Sequence, residues 1–344
     1  MGFWTPYGNM EEKIQRVREI IISQLKHVQG PAREVIGHLL ETEGKYLRAG
    51  ITILSAEMGG CIDDRPYIAA AGLEMLHMAT LVHDDIIDEA KMRRKSLSVQ
   101  QKFGKDVAVY TGDFLLARAY RFMVEEWAGI SRKQGAQGND QTKWDQVIWF
   151  SRGIEKICLG EMRQNLLRDM ATISYRDYLR IITGKTATLF AICGSVGVVI
   201  SDMDRKKQNI LVNSLKHMGI AFQIRDDCND YLTDEGKLGK EPLNDLKQGI
   251  YTLPLIYALE KDPKILPILE KEELSKSDQT HILEVIQETG SMRRALTVGS
   301  RYMDKALEGI EKMGNSQEVE IMKQVYMYLG RSLKSGHKEH AVLS

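Results

Sequence analysis

Apolar residues recur at three- and four-residue spacing through most of this chain, while runs of alternating apolar and polar residues are scarce. The first pattern gathers apolar side chains on one stripe of an α-helix, whereas the second would mark half-buried strands. Residues 11–25 are representative, with Ile14, Val17, Ile20 and Ile21 on one stripe. Seven prolines in 344 residues leave room for many long helices. The pattern predicts an all-α protein, with breaks at Gly59-Gly60, at the polar segment 131–141, at 234–245 and at Lys261-Asp262-Pro263. No Pro/Gly/Ser-rich linker separates two independently patterned halves, so a single domain over 1–344 is expected. The longest uncharged run, 186–201, is short for a membrane span and contains Thr, Ser and Gly, which reads as a helix buried in a protein core.

Two aspartate clusters interrupt this pattern: Asp84, Asp85 and Asp88 in one half, and Asp226, Asp227 and Asp230 in the other. Both share one internal spacing, inside otherwise apolar helical stretches. The first and last aspartates of each lie about one turn apart, on one helix face. Carboxylates so close repel one another unless cations hold them. Two such walls facing one cavity suit hard divalent cations bound partly through substrate phosphates, which is Mg2+ chemistry. Beyond the clusters there is no convincing internal repeat.

Forty-seven basic residues balance forty-seven acidic ones, which argues against a nucleic acid as general partner and makes any basic site local. Cys61, Cys158, Cys193 and Cys228 lack the close spacing of a zinc or redox motif and read as reduced thiols of a cytoplasmic protein. The N-terminus lacks a basic region followed by a long apolar run, so no secretory signal is expected. Pro6 stands where myristoylation wants Ser or Thr, and the last four residues hold no cysteine to prenylate.

Local cations do occur. Lys45 and Arg48 stand three apart at a helix start, Arg93 and Arg94 follow the first cluster, and Lys185 borders the long uncharged run. His77 precedes Asp84 by seven residues, about two turns, on nearly the same face. Taken singly, these read equally as surface charges, a snorkelling lysine and a core histidine. The segment 234–245 contains Lys237, Gly239, Lys240 and Asp245, and serves either as a solvated connection or as a loop closing over phosphates.

In order along the chain, these residues resemble the trans-isoprenyl diphosphate synthases, the head-to-tail polyprenyltransferases of the isoprenoid synthase fold. The resemblance covers roughly residues 44–254. It comprises Lys45 and Arg48, the first aspartate motif with Arg93 and Arg94, Gly112-Asp113, Gly160-Glu161 with Gln164, Lys185-Thr186, Phe222-Gln223 with the second aspartate motif, Gly239-Lys240, Asp245-Leu246, and Thr252-Leu253-Pro254. A lone DDxxD is a weak signal; this many motifs in this order is specific. Three departures stand out. Glu43 replaces the first glycine of the family's Gly-Gly-Lys, Lys95 and Leu97 replace the usual Gly and Pro after the arginines, and Ile250 stands where many short-chain members carry lysine.

The resemblance implies a bundle of long antiparallel helices around a central cavity. It also implies that Asp84, Asp85, Asp88, Asp226, Asp227 and Asp230 hold Mg2+ bridging an allylic prenyl diphosphate. Arg93, Lys185 and Lys240 would add positive charge to that leaving group, with Thr186 and Gln223 in the substrate-binding set. Lys45, Arg48, His77 and Arg94 would hold isopentenyl diphosphate without metal. Ionisation then gives an allylic carbocation that the isopentenyl double bond attacks. Family short-chain enzymes block the pocket four or five positions before the first aspartate, where this chain has Thr80 and Ala79. These lie about 6 to 7.5 Å along the helix from Asp84, and their small side chains imply a longer product, in the hexaprenyl to octaprenyl range of quinone side chains. Met75, Leu76, Leu116 or Tyr120 are alternative floors.

A homodimer is the family expectation, with peripheral membrane contact for product release and no integral span. Rival readings are a terpene cyclase on the same scaffold, a non-catalytic subunit, and a catalytic subunit that needs a small, motif-free partner. The four residues of the metal-free anion set disfavour the cyclase, and two intact aspartate clusters disfavour the non-catalytic subunit.

Overall fold

The three-to-four-residue period becomes a succession of helices in the computed structural model, which describes residues 2–41, 44–93, 96–133, 140–232, 243–271 and 273–331, without side chains for 127–133 and 140–150. In chain order these are α1 (Met10–Leu25), α2 (Ala32–Glu41), α3 (Leu47–Glu57), α4 (Arg65–Ile87), α5 (Val99–Phe103), α6 (Lys105–Lys133), α7 (Asp140–Leu166) and α8 (Tyr175–Ile182). A π-helical turn at Thr183–Ala187 leads into α9 (Thr188–Val199) and α10 (Arg205–Asp230). Then come α11 (Asn244–Lys247), α12 (Leu253–Lys261), α13 (Leu266–Leu269), α14 (Lys276–Glu288), α15 (Ser291–Glu311) and α16 (Gln317–Leu329). The fold is all-α, as the pattern predicts. The exception is a two-residue hairpin, β1 (Met92–Arg93) against β2 (Ser96–Leu97), which falls where the family's Gly and Pro are missing.

Two compact units emerge, one from Met1–Phe150 with Cys193–Asp204 and the other from Ser151–Ile192 with Arg205–Ser344. In the first, α4 is central and packs against α6, α3 and α1. Residues 69–76 of α4 are buried on every side, as suits a helix that is apolar all round. Leu73, Met75, Ile51, Ile53 and Leu54 are fully buried, each favouring the fold by about 1.5–3 kcal/mol. In the second, α10 is central, packing against α15 and the π-helical turn. Ser214 of α10 donates to the carbonyl of Ala306 at 2.6 Å and meets the Tyr326 hydroxyl at 3.1 Å, so the polar groups buried there are paired.

The breaks at Gly59-Gly60 and Lys261-Asp262-Pro263 fall at helix ends as expected, while residues 234–242 of the third lie outside the described residues. Segment 131–141 is helical at both ends, since α6 runs to Lys133 and α7 starts at Asp140. Lys237, Gly239 and Lys240 lie outside the described residues, as do Glu43, Arg94 and Lys95. Among the described residues one helical stretch, Tyr175–Val199, is long and apolar enough to cross a membrane, yet 72% of its most apolar window is buried inside the protein. The aspartate clusters are placed differently from the sequence reading. They close their helices: Asp84 and Asp85 lie in the last turn of α4 with Asp88 as its C-cap, and Asp230 ends α10.

Gly160 on α7 shows how closely the second unit packs. A Cβ there would lie 2.5 Å from the backbone nitrogen of Lys185 and 2.7 Å from the carbonyl carbon of Gly184. Backbone cannot yield as a side chain does. Gly160→Ala is therefore expected to cost about 1–3 kcal/mol and lower the midpoint of a thermal melt by several degrees; an unchanged melt would show that this crossing tolerates a side chain.

Candidate active site

The start of α3 is fixed from two sides. Trp4, only 1% exposed, donates its indole N–H to the carbonyl of Lys45 at 2.7 Å. Glu74, buried in mid-α4, accepts from the backbone N–H of Ala49 at 3.0 Å. That sets a carboxylate on the positive end of α3, where it is stabilised. Tyr46, with φ of 47°, turns the chain into the helix. Arg48 is thereby brought to His77, its guanidinium 2.8 Å from Nε2. A guanidinium only donates, so Nε2 accepts and the neutral ring carries its proton on Nδ1. The structure thus joins Arg48 and His77, with Lys45 exposed three residues before Arg48.

At the end of α4 the three aspartates differ. Asp84 is half-buried, Asp88 exposed, and Asp85 only 4% exposed. Asp85 accepts from Arg93 Nε at 2.9 and 3.1 Å and from its terminal amine. The short hairpin presents that arginine. His83, just before the cluster, lies 3.3 Å from Asp113, and Gly112 leaves room for its ring, since a Cβ there would come 2.3 Å from Nε2. This accounts for the Gly112-Asp113 motif. Thr80 is half-buried, its hydroxyl donating to the His77 carbonyl at 2.9 Å, while Ala79 is buried at 1% exposure. Met75 and Leu76 are fully buried, and Leu116 and Tyr120 half-buried.

The second unit assembles a hydrogen-bonded chain. Thr186 donates to the Gln223 amide oxygen at 2.5 Å, and the Gln223 amide nitrogen donates to Asp227 at 2.7 Å. Tyr178 donates its hydroxyl to the other Asp227 oxygen at 2.6 Å. Lys185, in the π-helical turn, lies 3.5 Å from Glu161, one residue beyond Gly160. Asp226 is exposed, and Asp230 accepts from the backbone N–H groups of Asn244 and Asp245 at 3.2 and 3.1 Å. Arg94 and Lys240 lie outside the described residues. Glu74, Trp4 and Tyr178 escaped the sequence reading. Only Tyr178 left a trace there, seven residues before Lys185 and so on a related face of the same helical stretch.

Both clusters fit a hard cation. Burial, with the charges of Asp245 and Asp226, pushes the Asp227 carboxyl up to about 8 against the opposing bonds from Tyr178 and Gln223. Neither α4 nor α10 has a basic residue in its last turn. Their aspartates therefore sit on the negative ends of helices, where carboxylates are disfavoured. Among the described residues no three His, Cys, Asp or Glu side chains converge as a ready cage. Mg2+ does not require one, because it takes one or two carboxylates and fills its shell with water and phosphate oxygens.

The raised carboxyl of Asp227 has a definite sign in stability. Unfolded, the group ionises near 3.8; folded and metal-free, near 8. Its contribution is fully present below the lower value and is lost as pH rises through the higher one. In EDTA, melts between pH 5 and 9 are expected to show wild type losing stability relative to Asp227→Asn as pH rises, and Mg2+ is expected to restore more at pH 9 than at pH 6. A pH-independent difference between the two proteins would contradict this.

The comparisons with known proteins place the chain by family and fold. A sequence model of the polyprenyl synthetase family matches residues 30–288. Heptaprenyl diphosphate synthase component 2 of Geobacillus stearothermophilus is 30% identical over 327 residues, 94% of this chain and 97% of that protein. Its counterpart in Bacillus subtilis is 31% identical over 296 residues, 86% and 80% of the two chains. The crystal structure of heptaprenyl diphosphate synthase from Staphylococcus aureus superposes with a TM-score of 0.84 at 28% identity, covering 94% of this chain and 99% of that one. With its ordered motifs, its all-helical fold and these relatives, the chain belongs to the polyprenyl synthetase family.

Proposed function

We propose that this chain is a Mg2+-dependent polyprenyl diphosphate synthase that adds isopentenyl diphosphate head-to-tail to an allylic prenyl diphosphate. One observation carries the reading: two core helices, α4 and α10, each end in three aspartates with no basic residue in the last turn. Carboxylates on such ends are disfavoured, and a bound cation offsets this. The relatives, named as prenyl diphosphate synthases, supply the substrate class.

When bound, Mg2+ would neutralise the diphosphate oxygens of the allylic leaving group. Asp84, Asp85 and Asp88 would offer oxygens to it, as would Asp226, Asp227 and Asp230, and Asp85 also holds Arg93. Lys185 and Lys240 add positive charge, and Thr186, Gln223 and Tyr178 fix Asp227. Lys45, Arg48, His77 and Arg94 hold the isopentenyl diphosphate, which stays in the product and must not be activated to leave. The allylic C–O bond breaks with its electrons on the departing diphosphate. The isopentenyl double bond then forms the new C–C bond, and a proton passes to that diphosphate. No protein nucleophile takes part. The side chains fixing Asp227 are already bonded to it, so little reorganisation accompanies charge development.

The small Ala79 and the tethered Thr80 support a hexaprenyl to octaprenyl product. Val107, Tyr110 and Phe114, at 38%, 73% and 37% exposure, form an apolar stripe on α6 that supports a homodimer. A second reading has its own support. Two relatives are named as one component of a synthase, which favours a catalytic subunit acting with a separate partner chain. Free thiols at Cys61, Cys158, Cys193 and Cys228 support a cytoplasmic location.

Incubating the purified chain with Mg2+, isopentenyl diphosphate and farnesyl diphosphate is expected to give chain-elongated diphosphates. Cyclic hydrocarbons would overturn the reading, and turnover only with added partner would favour the two-component enzyme. Asp84→Ala and Asp227→Ala are each expected to lower turnover by about two orders of magnitude or more; near-wild-type rates would refute the metal assignment. Ala79→Phe is expected to shorten the product and spare the first condensation, and an unchanged product by chain-length analysis would sink the tunnel argument.

A further inference from the structure

The unit built around α10 has a second concave surface, and no residue assigned above lines it. This cleft of about 730 Å3 lies between Tyr175 of α8, Tyr257 and Glu260 of α12, and Arg293, Arg294, Thr297, Val298 and Arg301 of α15. Its size falls within the range of small-molecule sites.

Its electrostatics are one-sided. Glu260, the one carboxylate in the lining, is already taken by Arg294, whose guanidinium nitrogen lies 2.6 Å away. Arg294 is also laid flat over Tyr257, 3.7 Å from the ring centroid. Among the described residues neither Arg293 nor Arg301 joins an ion pair, so their two charges remain uncompensated. Arg293, Thr297 and Arg301 follow at four-residue spacing, so the two arginines share one face about 12 Å apart along the axis. Arg293 also stands in the first turn of α15, where the helix end adds positive potential.

The rest of the wall is flat and apolar. The rings of Tyr175 and Tyr257 stack with centroids 6.1 Å apart and an interplanar angle of 20°. Burial pushes the Tyr175 phenol up to about 12, which keeps it neutral. A merely solvated basic stripe would need neither a stacked aromatic wall nor an arginine already oriented on one of its rings.

We propose that this cleft binds a small organic phosphate of nucleotide size, with its anionic groups on Arg293 and Arg301 and a flat or apolar body against Tyr175 and Val298. Arginine suits phosphate because its planar fork donates two parallel hydrogen bonds. The same chemistry is offered by a nucleotide and by a prenyl diphosphate.

Calorimetric titrations of ADP and of geranyl diphosphate in EDTA, into the wild-type chain and into the Arg293→Ala/Arg301→Ala variant, separate these sources. Binding at the aspartate clusters is common to both proteins, so the difference reads the cleft alone. At least one of the two ligands is expected to bind the double variant roughly tenfold or more weakly, and the Arg293→Lys/Arg301→Lys variant is expected to recover part of the loss. A difference for ADP alone identifies the nucleotide, and one for geranyl diphosphate alone the prenyl chain. Both arginines are exposed, so the melts of all three proteins are expected to coincide. Identical titrations with both ligands, or no difference beyond one explained by a shifted melt, would overturn the proposal.

Discussion

Everything specific about this protein depends on an electrostatic arrangement that a helix by itself would reject. The central helix of each unit ends in clustered aspartates, on the end where the backbone already carries partial negative charge. The usual remedy, a lysine or arginine in the last turn, is absent from both. Within the second unit Asp227 is held so far from water that burial and its neighbours' charges raise its carboxyl to about 8. Such a group is poised to exchange its proton for a metal ion, and the protein tolerates it because α10 is otherwise a well-packed core helix.

That poise is maintained by hydrogen bonds from neighbouring side chains. Tyr178 and Gln223 each grip one oxygen of Asp227, and Thr186 orients Gln223 in turn. On α4, Glu74 does the equivalent for the metal-free anion set by anchoring the start of α3, with the Trp4 indole holding the preceding turn. Losing one such bond leaves a buried polar partner unsatisfied, at a cost of about 1–3 kcal/mol. These contacts explain why some family motifs need particular residues. Gly160 lets two backbones meet at the π-helical turn carrying Lys185, and Thr252, just before α12, turns its hydroxyl to that of Tyr231 at 2.8 Å.

Much was legible in advance, for reasons that are local. The helical period, the scarcity of proline and the positions of Gly59-Gly60 and Asp262-Pro263 act within a few residues, so the helices and most breaks could be read directly. The aspartate clusters and flanking cations were visible as side-chain chemistry out of place in apolar stretches. Missed were the placement of the clusters at helix ends, the hairpin carrying Arg93, and the supporting roles of Trp4, Glu74 and Tyr178. Each of these misses depends on partners distant in sequence: Trp4 meets Lys45, Glu74 meets Ala49, and Tyr178 meets Asp227 forty-nine positions on.

The sequence by itself determined the all-helical fold, the family and the candidate residues for cations and diphosphates, because periodicity and side-chain chemistry are properties of short segments. Only the tertiary structure decided which carboxylate is buried with its pKa raised, that Asp85 is taken up by Arg93, and that Arg48 donates to His77. It also gathered Arg293, Arg294 and Arg301 with Tyr175 and Tyr257 around a second cleft. Burial, pairing and pKa follow from where water is excluded, and packing between distant segments settles that.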